Sequence, residues 1–214
     1  MFNQHKFTLF VGIFISALVI SNVLATKLWI IGGITIPAGV LAYPITFLMT
    51  DIIGEVWGEK TVNHVVNTGL VCSVLAVVLG LLAVQLPAAP FYKSQEFFAQ
   101  LFGSVGRITF AGFIAYTISQ KTDVWIFHRL REYTNTKHLW LRNNVATVVS
   151  QLFDTVIFIT VAFYGQMPLS LVGQMIIGQW VAKVTIALCD TPFCYLGVKW
   201  GNKVNSKASS SNRK

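Results

Sequence analysis

Long apolar stretches recur along this chain, at about 7–26, 40–57, 63–85, 104–120, 143–164 and 172–198. An α-helix rises about 1.5 Å per residue, so roughly 20 apolar residues cross the ~30 Å hydrocarbon core of a bilayer. Inside that core every backbone polar group needs an internal partner, which a helix supplies within one segment. The reading is therefore an all-α membrane protein, with six transmembrane helices forming one domain over residues 1–200. A polar tail, 201–214, is expected to be disordered because its Ser, Lys and Asn have no core to join. Only 11% of the residues are charged, against roughly 25% in soluble domains, which excludes a soluble catalytic domain. The first stretch reads as a span and not as a cleavable signal, since no small-x-small site precedes more soluble sequence.

Basic residues set the direction. Twelve of the sixteen Lys and Arg fall on one side of the expected spans, in the N-terminus, the 121–142 loop and the tail among others. The positive-inside rule then places both termini in the cytoplasm. The net charge of +8 follows from this distribution and implies no nucleic-acid partner. On the opposite side, "WIIGGITIPAG" predicts a short hairpin around Gly32-Gly33. "YKSQEFFAQLFG", with Phe97, Phe98, Leu101 and Phe102 at helical spacing, predicts a helix lying in the outer interface. Pro44 and Pro192 predict bends in the second and sixth spans. The third span, the least polar, is expected to face lipid, as are most phenylalanines.

Ionisable groups inside a bilayer are expensive, so their placement carries the functional information. Asp51, Glu55 and Glu59 recur at i, i+4, i+8 and share one face of the second span. Asn144, Thr147, Gln151 and Asp154 form a second stripe on the fifth. Counting about 11 residues from the nearer helix end puts Asp51, Asp154 and Lys183 each roughly 16 Å deep. Three charges from three helices thus meet at one depth. A purely structural ion pair is the bland alternative. Trp180, one turn from Lys183, is an aromatic candidate for the same layer; Arg107 and Gln120 mark the two ends of the fourth span, and Glu55 and Asp190 lie deeper. The stretches 115–123 and 146–154 both read A-x-x-x-S-Q-x-x-D, a faint internal echo.

No H-E-x-x-H, G-x-S-x-G or nucleophile–base pair is present, so no catalytic residue is assigned. Two aspartates could form a proteolytic dyad, but a lysine at their depth favours both as anions. No metal or cofactor is expected: the histidines lack ligand spacing, and Cys72, Cys189 and Cys194 show no paired C-x-x-C. A scaffold would need fewer buried charges. A transporter is the class that fits best, with a non-transporting membrane scaffold as an alternative.

Five blocks in order resemble the bacterial queuosine precursor transporter family, the vitamin-uptake type: Ser21-Asn22, "YPITFLMTDIIGEVWG", "GRITFAGFIAYTISQKTDVWIFHRLRE", "LWLRNNVATVVSQLFDT" and "KVTIALCDTPFCYLGV". Departures touch no charge: Ala146-Thr147 replaces Ser-Thr, and Gly112 replaces a common Ser. The resemblance implies import across the inner membrane of 7-cyano-7-deazaguanine, 7-aminomethyl-7-deazaguanine or queuine, for salvage into tRNA. It also implies six helices similar to the substrate-binding subunits of energy-coupling-factor transporters, here working without the ATPase module. Another vitamin-like cargo carried with a partner energising module is the alternative, and a homo-oligomer is compatible with either. For such a base, Asp51 or Asp154 would accept the N–H edge, while Asn22, Gln151 or Lys183 would donate to O6. Trp180 or Trp57 would supply an aromatic face. Glu55, Arg107, Gln120, Asn144 and Asp190 are left for coupling or gating.

Overall fold

The computed structural model of the protein describes residues 4–133 and 139–211. It is mostly helical, in the order α1 (Gln4–Leu24), β1 (Leu28–Ile31), β2 (Ile34–Pro37), a 3-10 turn (Ala38–Ala42), α2 (Tyr43–Trp57), α3 (Glu59–Gln85), α4 (Gln95–Tyr133), α5 (Leu139–Phe163) and α6 (Leu169–Ser211). Five of these segments are long and apolar enough to cross a membrane: Gln4–Leu24, Ala38–Trp57, Glu59–Gln85, Gln95–Thr122 and Leu169–Ala187. The apolar part of α5, Thr147–Phe163, is shorter. The chain is a multi-pass membrane protein.

The expected hairpin is present. β1 and β2 pair antiparallel with Trp29 opposite Ile36, and the turn uses Gly32 and Gly33 at φ 55° and 82°. Two successive positive φ values define the turn type that matches strand twist, and glycine adopts them without strain. The backbone N–H of Ala38 donates to the Lys27 carbonyl at 2.8 Å and closes the hairpin's base.

Three expectations need correction. The segment around Phe97 is no separate interfacial helix, because α4 begins at Gln95 and continues without a break to Tyr133. Phe102 fits into the notch left by Gly80 on α3, and this packing stands the first turns of α4 upright. Pro44 bends nothing. It occupies the first turn of α2, where a missing N–H has no helical acceptor to lose. The phenylalanines are only in part lipid-facing: Phe110, Phe113, Phe153 and Phe193 are exposed as expected, whereas Phe10, Phe14, Phe158 and Phe163 are buried. At its other end, α6 reaches Ser211 and so takes in part of the polar tail.

Packing divides into two clusters. Phe10, Phe14, Met49, Ile52, Ile53 and Val65 join α1, α2 and α3. Ile108, Ala111, Ala115, Phe158, Ile159, Ala162, Met175 and their neighbours join α4, α5 and α6. Small residues allow close approach between helices that gain little from hydrophobicity in lipid. A Cβ on Gly178 would lie 2.5 Å from Ile34 and 2.7 Å from Ile36, so α6 sits directly against the hairpin. Further along α6, Gly197 receives Ile52 of α2. As Gln179 meets Tyr43 near the start of α2 (below), these two helices run in the same sense. α3 turns Val71, Val74, Leu75, Val78, Leu79 and Leu82 outward, as its low polarity predicts.

Candidate functional site

Lys183 is 4% exposed, yet it carries a charge in the apolar interior. Its Nζ lies 2.5 Å from Asp154 Oδ2, joining α6 to α5. Asp154 starts nine residues before the end of α5, and Lys183 lies fourteen after the start of α6. Those counts put the pair roughly 13–21 Å from the hairpin end, near the middle of a ~30 Å slab. A lone charge there would be strongly unfavourable, and pairing is what makes it tolerable. The same Nζ sits 4.8 Å from the ring centroid of Tyr43, within the range of a cation–π contact.

Tyr43 begins α2, directly after the 3-10 turn, and its ring stacks on Phe47 at 5.8 Å. Its hydroxyl accepts a 2.8 Å hydrogen bond from Gln179 Nε2. Gln179 is 1% exposed, and its Oε1 is buried without a hydrogen-bond partner among the described residues. Tyr43, Asp154, Gln179 and Lys183 therefore form one polar group, in which Tyr43 comes from the α1–α3 cluster and the other three from α5 and α6. The site lies on the seam between the two packing clusters. Asp154 is its most open member, with 21% of its side chain exposed. Among the described residues its hydrogen bond is to Lys183 alone.

Of the expected layer of three charges, the structure brings two together. Asp51 is exposed on α2, and the face of that helix turned to the core carries Thr46, Met49, Ile52 and Ile53. Tyr43, two turns earlier, takes the place next to Lys183 that depth counting gave to Asp51. Glu55 shares the Asp51 face and is also exposed, and Gln120 is exposed on α4. Gln151 is half-buried one turn from Asp154, and its carbonyl accepts from Thr155. Trp180 is half-buried, with its indole N–H donating to the Val148 carbonyl at 3.1 Å, so it ties α6 to α5 beside the pair. Asn22 is half-buried on α1, next to the Ser21 carbonyl that abuts Gly39. The side chains of Asn144 and Asp190 lie outside the described residues. The two echoing motifs meet at their serines: Ser119 Oγ donates to the Ser150 carbonyl at 2.8 Å between α4 and α5.

Arg107 acts at a distance from this group. Its Nε donates to the Val161 carbonyl at 2.9 Å and its Nη2 to the Tyr164 carbonyl at 2.6 Å. Carbonyls in the last turn of a helix lack internal partners, so the guanidinium caps α5, the helix that carries Asp154. Arg107→Met should lower thermal stability by roughly 1–3 kcal/mol and reduce uptake several-fold. Arg107→Lys should recover only part of both, because an ammonium cannot reproduce the planar two-donor fork. Unchanged melting of the Met variant in detergent would remove the capping role.

Gln179 and Tyr43 were missed in the sequence. For Gln179 a signal was present: it lies at i, i+4 to Lys183 and so shares its helix face. Tyr43 offered none beyond its place at the head of a span.

A polytopic helical protein with a polar group enclosed at the seam of two helical clusters has the architecture of a membrane carrier. Residues 37–197 match the family described as "Putative vitamin uptake transporter", and the chain belongs to that transporter family. It is 30% identical over 186 residues to the "Probable queuosine precursor transporter" of Bacillus subtilis (strain 168), covering 86% of this chain and 80% of that protein. It is 28% identical over 127 residues to the protein of that name from Haemophilus influenzae, covering 59% of this chain and 51% of the relative. The "Queuosine precursor transporter" of Escherichia coli (strain K12) is 27% identical over 133 residues, covering 59% and 54% respectively. No solved structure matches the chain.

Proposed function

We propose that this protein imports queuosine precursors, bases of the 7-deazaguanine class, across the bacterial inner membrane. The observation that carries the reading is the enclosed Lys183–Asp154 pair, whose carboxylate is its more open partner. A guanine-type edge presents N1–H and N2–H₂ donors side by side, and a carboxylate accepts two such bonds at once. The ammonium of Lys183 donates to the neighbouring O6. Trp180 and Gln151, within one turn of Lys183 and Asp154 respectively, complete the surroundings of the base. The family and the names of its relatives support the cargo. In this reading α5 is a sixth span, both termini are cytoplasmic as the distribution of Lys and Arg supports, and the hairpin faces the periplasm.

The test is salvage. Cells lacking precursor synthesis and expressing this chain should regain queuosine in tRNA when 7-cyano- or 7-aminomethyl-7-deazaguanine is supplied. Asp154→Asn at equal membrane abundance should abolish it. Full salvage by that variant, or none by the wild type, would refute the reading.

A further inference from the structure

The four polar side chains of the site lie in an order. Asp154 meets Lys183 at 2.5 Å, the same ammonium faces the Tyr43 ring at 4.8 Å, and the Tyr43 hydroxyl meets Gln179 Nε2 at 2.8 Å. At the far end Gln179 Oε1, in a side chain 1% exposed, is buried with no partner among the described residues. An orphaned acceptor of that kind calls for an explanation, and a donor on a bound ligand supplies one. A guanine-type base carries its groups in a matching order: N2–H₂ and N1–H, then O6, then the substituent at position 7. If the proposed function holds, with Asp154 on the N–H edge and Lys183 on O6, the protein groups that follow are Tyr43 and the Gln179 bonded to it, and the cargo group that follows is that substituent.

We propose that Gln179, set by Tyr43, reads the 7-substituent of the cargo and accepts either hydrogen-bonding polarity there. In the observed arrangement Nε2 donates to Tyr43 and Oε1 accepts from a cargo N–H, such as an aminomethyl group. Turned by half a rotation, the carboxamide accepts the Tyr43 O–H through Oε1 and donates through Nε2 to a cargo acceptor, such as a nitrile. A phenol serves both states because it donates and accepts. A carboxylate at position 179 could only accept and an ammonium could only donate; the neutral amide lets one site take two cargoes.

The test uses purified full-length protein and three probes: 7-cyano-7-deazaguanine, 7-aminomethyl-7-deazaguanine and unsubstituted 7-deazaguanine. Gln179→Glu should weaken binding of the cyano base by about tenfold or more relative to the aminomethyl base. Gln179→Leu should weaken both substituted bases by about tenfold and leave 7-deazaguanine within about twofold. Tyr43→Phe should weaken both substituted bases together. Unchanged cyano-to-aminomethyl ratios in Gln179→Glu, or equal loss of all three probes in Gln179→Leu, overturn the assignment while the proposed function stands. Should the Glu variant fail to fold, the contrast between substituted and unsubstituted bases in the Leu variant decides. Wild-type protein that binds none of the probes would overturn both readings.

Discussion

Asp154→Asn should be the most damaging single substitution in the protein, in stability as well as in uptake. It leaves the Lys183 ammonium, 4% exposed, with no anion beside it. Stranding one member of a buried pair costs about 3–5 kcal/mol. Lys183→Met strands the more open carboxylate, 21% exposed, so its stability loss should be the smaller of the two while uptake is lost equally. The double variant removes both charges and should regain much of the lost stability without regaining uptake. Thermal unfolding in detergent and salvage in cells read these two quantities separately. A double variant that loses the sum of the two single losses would show that the pair is not energetically coupled. Uptake by the double variant would show that it does not hold the cargo.

Gly39→Ala should have the next largest effect, although it adds one methyl group. Its Cβ would lie 2.8 Å from the Ser21 carbonyl oxygen, on α1, and 3.0 Å from the Cβ of Ala25, just after that helix. The first of these is backbone, which cannot turn aside as a side chain can. Overpacking of this kind costs about 1–3 kcal/mol. The displaced element is the 3-10 turn that leads directly into Tyr43, so the site should move with it. The expected outcome is a lower melting temperature and a severe loss of uptake. Gly12→Ala on α1 is the control, as a Cβ there meets nothing within 4 Å. Equal behaviour of the two variants would remove the packing argument.

How far the site was legible depends on what each sequence signal measures. Hydropathy measures length in lipid, and it found the helices; the Gly32-Gly33 pair, a turn signal, found the hairpin. It cannot tell a face turned to lipid from a face turned to another helix, because both are apolar; Phe14 and Phe158 were misplaced for that reason. Helical periodicity showed that Asp51 and Glu55 share a face, and they do. It did not show that this face is exposed. Depth counting found the match between Asp154 and Lys183 on neighbouring helices α5 and α6, where the short turn through Gly165 fixes the register. It failed on α2, where the hairpin and the 3-10 turn intervene between the preceding helix and Tyr43. Gln179 was passed over because an uncharged amide in an apolar run draws less attention than a lysine. Its unsatisfied oxygen is a property of packing and appears only in three dimensions.

The seam has a mechanical consequence. Asp154 and Lys183 belong to the α5–α6 hairpin, whereas Tyr43 belongs to α2. Were the two clusters to part, the Tyr43–Gln179 hydrogen bond and the cation–π contact would stretch, whereas the ion pair, made between the neighbouring helices α5 and α6, would not. Opposite charges that move together form a neutral unit, and their displacement within the membrane would do little work against the transmembrane voltage.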